Sequence, residues 1–127
     1  MNERAAAELA LLRSAYPEAE LNDEGPWARI PAYPIDESIW GRATVEVAFQ
    51  FVLPGQPPYG FWVRPGLTLA TGVAIQNYSY PVETPFGPGW GQFSWSPEDW
   101  SAQEDPRVAG NMLRWARSFA QRLAEGA

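Results

Sequence analysis

The sequence predicts an α+β fold, a single domain over residues 1–127 in which an antiparallel β-meander packs against an N-terminal and a C-terminal helix. Three observations predict it. Apolar residues recur at helical spacing near both ends of the chain, and the segment from Thr44 alternates with the period of a strand. Most of the 13 prolines and 11 glycines fall between that strand and the last helix, a texture of turns and short extended pieces.

The first helix is expected over Asn2 to Ala15. Asn2 is a good N-cap, Glu3 complements the helix dipole, and Ala5, Leu9, Leu12 and Tyr16 share one face before Pro17 ends it. Two short strands follow, around Glu20-Leu21-Asn22 and from Trp27 to Ile30, with Gly25 and Pro26 between them. Thr44 to Leu53 is the clearest strand. Val45, Val47, Phe49, Phe51 and Leu53 point one way, while Ala48 and Val52 soften the other face and predict partial cover there. From Pro54 to Pro97 only Phe61-Trp62-Val63 and Leu67 to Ala70 read as strands; the remainder reads as ordered loops packed by aromatic side chains. The last helix has Asp105 as N-cap, Pro106 at its first position, a stripe of Val108, Met112, Trp115, Phe119 and Leu123, and Gly126 near its end. Arg107, Arg114, Arg117 and Arg122 are expected mostly off that stripe.

Composition excludes several chemistries. The chain has no cysteine and no histidine, so thiolate, imidazole and Cys/His metal sites are absent. With 46 % hydrophobic and 14 % aromatic residues it can build a core. A net charge of -6 argues against nucleic-acid binding, and no stretch is apolar enough for a membrane span or a signal peptide. The expected compartment is the cytoplasm. All nine basic residues are Arg, so no lysine side chain is available as an amine acceptor. No motif implies a cofactor or a metal.

The run Pro54-Gly55-Gln56-Pro57-Pro58-Tyr59-Gly60-Phe61-Trp62, following the strongest strand, resembles the "YPxxPP" passage of the ubiquitin-conjugating enzyme fold. Gly91-Gln92-Phe93-Ser94 resembles the tetrad that carries that family's catalytic cysteine, with Ser94 in the cysteine's place, and Trp95-Ser96-Pro97 resembles its Trp-Ser-Pro element. The chain is most similar in texture to divergent bacterial ubiquitin-conjugating-like families encoded beside a ubiquitin-like protein and an activating enzyme. Trp27 to Ile35 and Trp90 to Trp100 carry most of the likeness, which spans residues 5 to 124. It implies a ubiquitin-conjugating-like (RWD-like) sheet and helices, with a ubiquitin-like protein and its activating enzyme as partners, in antiviral defence. Two departures stand out. The cysteine is missing, and so is a His-Pro-Asn element, the nearest asparagine being Asn77, 17 residues before Ser94.

On this resemblance Ser94 is the candidate nucleophile, taking the modifier as an oxyester rather than a thioester. A hydroxyl needs a base, and without histidine the candidates are Glu83, Glu98, Asp99 or a group from a partner. The bland alternatives stand beside these roles: Ser94 as a turn or strand residue, Glu98 and Asp99 as solvated acids or turn caps. Tyr78 and Tyr80 either line a groove for an extended tail or pack a loop. Trp62, Trp90, Trp95 and Trp100 either form a stacking platform for a ligand such as a sugar or fill the core. Arg107, Arg114 and Arg117 form a solvated face or a partner site. Three functions follow: an oxyester carrier, a non-catalytic module of the same fold, and a small-ligand or carbohydrate-binding module.

Overall fold

The computed structural model describes residues 3–22, 27–50, 60–94 and 112–126. Its elements run α1 (Glu3–Ala15), β1 (Glu20–Asn22), β2 (Trp27–Pro34), α2 (Glu37–Trp40), β3 (Thr44–Gln50), β4 (Phe61–Arg64), β5 (Tyr78–Thr84), β6 (Gly87–Phe93) and α3 (Met112–Glu125). The fold is α+β, a six-stranded antiparallel sheet with a helix near each end of the chain.

The sheet has the order β1-β2-β3-β4-β6-β5. Its first four strands meander as expected. The last two do not, because the chain leaves β4, passes over β6's position, lays β5 at the edge and returns through β6. The prolines and glycines of residues 78–93 predict loops, yet this stretch is the β5–β6 hairpin. Its two-residue turn is closed by Thr84, whose hydroxyl accepts the Phe86 N–H at 3.1 Å, with Gly87 in a positive-φ conformation. Pro81 falls in the register shift between Ser79 and Val82, and Pro31 in the one between Ile30 and Tyr33. A missing N–H costs nothing where the ladder is already broken.

Leu67 to Ala70, expected as a strand, is part of the connection between β4 and β5. Leu67 and Leu69 are buried in the main core, so their alternation reflects a loop laid across an apolar surface, not a ladder. This loop is fastened by the Ala70 N–H donating to the Ile39 carbonyl at 2.9 Å and the Leu67 N–H donating to the Tyr78 hydroxyl at 2.8 Å.

The two faces of the sheet differ. Val45, Val47 and Phe49 of β3, with Phe61, Val63 and Phe93, meet Leu12 of α1 and Trp115, Phe119 and Leu123 of α3. Leu9 and Leu12 of α1 and Trp115, Phe119 and Leu123 of α3, all on the expected apolar faces, are buried, whereas Asn2, Asp105, Pro106 and Val108 lie outside the described residues. On the outer face Ala48, Trp62 and Trp90 form a second cluster with Trp27, Val82 and Phe86, which is the cover that the softened face of β3 predicts. Beside it Glu46 pairs with both Arg64 (2.7 Å) and Arg29, and Arg64 lies 4.7 Å from the Trp90 ring centroid.

Tyr33 makes a testable pH statement. It is buried and donates its hydroxyl to the Ala116 carbonyl at 2.6 Å, joining β2 to α3. Burial, with the neighbouring Tyr16 phenol, pushes its pKa well above the ordinary value of 10.0. The unfolded chain then releases a proton near pH 10 that the folded chain keeps, so the stability linked to Tyr33 is intact below about pH 10 and falls as pH rises beyond it. Urea midpoints measured from pH 8 to pH 11 are expected to decline above about pH 10, and Tyr33→Phe to flatten that decline. An unchanged slope in Tyr33→Phe would refute the assignment.

Candidate functional site

Ser94 is the residue after β6, an interior strand, and the pairing on both sides of it sets its neighbours. Phe93 is opposite Phe61 of β4 and Tyr78 of β5, so the next row across the sheet end holds Gly60, Ser94 and Asn77. The Ser94 N–H donates to the Asn77 carbonyl at 2.8 Å. Asn77 has φ 55°, the left-handed region that Asn tolerates better than most residues. Gly60 has φ 79°, and a Cβ there would stand 3.1 Å from the Phe93 carbonyl oxygen. Two left-handed residues thus flank Ser94 across the sheet end. Ser94 and Asn77 are exposed; Gly60 is buried.

Beneath this row lies Phe93, its ring 4.8 Å from both Phe61 and Tyr78. The guanidinium of Arg122, on α3, sits 5.0 Å from the Phe93 centroid and donates to the carbonyls of Gln76 (2.8 Å) and Gly126 (3.0 Å). Arg122 is only 4 % exposed, which corrects its expected place off the apolar stripe. It stands seven residues after Trp115, two helical turns, and that spacing is the signal that could have placed it inward. Burial lowers its pKa from the usual arginine value, an effect that Glu125 opposes. Arg114 and Arg117 are exposed, and Arg107 lies outside the described residues.

The structure brings Ser94, the candidate nucleophile, beside Asn77, which no motif singled out as a site residue, despite their separation in the chain. Glu83 is not brought near. It lies six residues along β5 from Asn77, roughly 20 Å at about 3.3 Å per residue, too far to serve Ser94 as a base. Glu98 and Asp99 lie outside the described residues, as do Trp95 and Trp100. Tyr78 is half-buried against Phe93 and the 65–77 connection, which fits the packing role, whereas Tyr80 is exposed. Trp62 and Trp90 are buried, as the core-filling reading expects. Among the described residues no group of acidic side chains is placed to hold a metal ion, and no helix is long and apolar enough to cross a membrane.

The arrangement offers an exposed hydroxyl on a fixed strand end with a carboxamide residue in the adjacent position. An amide N–H near a nucleophile can stabilise the negative charge that develops on a carbonyl oxygen under attack. Comparison of the chain with protein-family models, with curated proteins and with solved structures finds no match, so the reading of this site rests on its own residues.

Proposed function

We propose that the chain is a cytoplasmic ubiquitin-conjugating-like protein of a bacterial ubiquitin-like conjugation system, and that Ser94 accepts the modifier's C-terminus from an activating enzyme as an oxyester. The observation that carries this reading is the pairing of exposed Ser94 with Asn77 at the end of β6. The likeness of Gly91-Gln92-Phe93-Ser94 to a catalytic tetrad and the helix, sheet, helix order support it. So does the resemblance to a ubiquitin-conjugating-like, RWD-like domain, which also points to antiviral defence.

In the proposed step the Ser94 Oγ attacks the carbonyl carbon of a modifier held as a thioester on the activating enzyme. The Oγ–C bond forms, the C–S bond breaks, and the departing thiolate takes up the hydroxyl proton as a thiol. Asn77 supplies a hydrogen-bond donor beside the carbonyl oxygen. Incubation with the modifier, the activating enzyme and ATP should give an adduct that survives thiol reductant and yields to alkali or hydroxylamine. Ser94→Ala should abolish it. An adduct that persists in Ser94→Ala places the acceptor elsewhere.

A second reading is a non-catalytic module of the same fold that binds the modifier or the activating enzyme. The distance of Glu83 from Ser94 favours it, because that carboxylate is out of reach as the base the hydroxyl needs. Stable complex formation without any adduct from the parent protein decides for this reading.

A further inference from the structure

Arg122 fastens the two chain segments that carry Asn77 and Ser94. One arm of its guanidinium donates to the Gln76 carbonyl at 2.8 Å, one residue before Asn77, and its central carbon lies 5.0 Å from the ring centroid of Phe93, one residue before Ser94. The other arm donates to the Gly126 carbonyl at 3.0 Å and so closes the end of its own helix. Among the described residues its acidic partner is Glu125, which is half-exposed and stands 4.0 Å away. A cation held in the interior mainly by neutral carbonyls is a costly fastening, since an apolar side chain of similar length would fill the space without desolvating a charge. What an apolar side chain could not do is hold the Gln76 carbonyl, and with it the left-handed turn at Asn77, against the strand end.

We infer that Arg122 is a positioning residue for the chemistry at Ser94: it sets the placement of Asn77 relative to the hydroxyl. The inference rests on the acyl-acceptor reading, yet the tie itself can be read without any conjugation. Exchange of the Ser94 amide proton, which is bonded to the Asn77 carbonyl, reports on the junction directly. Arg122→Met keeps the apolar stem, and Arg122→Lys keeps the charge but cannot bridge two carbonyls while lying on Phe93. In both variants exchange at Ser94 is expected to speed by about tenfold or more, while amides of Val47 and Val63 in the sheet interior keep their protection. The single-turnover rate of oxyester formation is expected to fall by about tenfold or more, with affinity for the loaded activating enzyme unchanged. Where Arg122→Met does not fold, Arg122→Lys carries the test. Unchanged Ser94 exchange, or an unchanged transfer rate, in a parent protein that does form the oxyester overturns the Arg122 assignment alone. Faster exchange in the variants with no oxyester from the parent overturns the Ser94 chemistry and leaves Arg122 a structural tie.

Discussion

Phe119→Ala is expected to lower the free energy of unfolding by about 3–5 kcal/mol, a large fraction of the 5–15 kcal/mol typical of a domain. Phe119 is fully buried at the centre of the larger core, with its ring 4.3 Å from Phe61, 4.9 Å from Trp115, 5.4 Å from Phe49 and 6.1 Å from Tyr33. These partners come from β4, α3 itself, β3 and β2, so one ring holds the last helix to three strands. Rigid aromatic neighbours collapse poorly into a vacated site, and the cavity term adds to the lost transfer energy. Urea unfolding followed by tryptophan fluorescence checks this: the midpoint should fall with the slope unchanged. A loss below about 1 kcal/mol would mean that α3 is not docked by this residue.

Gly91→Ala should cost about 3 kcal/mol, at the upper end for added volume in a packed core. A Cβ at Gly91 would stand 1.8 Å from the Tyr78 hydroxyl oxygen and 2.4 Å from Cζ, far inside contact distance. Tyr78 has little room to retreat, because its hydroxyl accepts the Leu67 N–H and its ring lies on Phe93. The cost is therefore specific to the pair. In a Tyr78→Ala background the same Gly91→Ala change should be nearly neutral, and a double-mutant cycle should return a coupling of about 2 kcal/mol or more. Equal costs in the two backgrounds would show that the glycine is needed for its backbone and not for the clearance it gives the phenol.

Phe119 and Gly91 are opposite cases of legibility. Phe119 is on a stripe that the sequence displays openly, and Leu9, Leu12, Val45, Val47 and Phe49 are equally plain, because a helix or strand that buries one face must repeat apolar residues at its own period. Gly91 belongs to the hairpin that composition conceals. Its strands contain Pro81, Pro88, Gly87 and Gly89, residues that ordinarily end a strand; Pro81 is accommodated because β5 is an edge strand whose ladder shifts register beside it, and Gly87, Pro88 and Gly89 because β4 pairs β6 only over residues 91–93. Leu67 and Leu69 mislead in the other direction, since burial of alternate residues in a loop mimics a strand. At the candidate site Ser94 is visible only through resemblance to a known tetrad. Its neighbours Asn77 and Gly60 are set by strand pairing, which no local pattern encodes, and Arg122 reads as a surface charge unless its two-turn spacing from Trp115 is given weight over its polarity.

The strand order has a mechanical consequence. β6 is bonded to β4 on one side and to β5 on the other, so a partner pulling on the chain beyond Ser94 along the strand loads both ladders at once, in shear. A pull along the strand at Asn77 loads one ladder, that of an edge strand, together with the Arg122 tie at the Gln76 carbonyl. The same row of residues is therefore anchored in two ways, Ser94 through two ladders and Asn77 through one ladder and a guanidinium from α3.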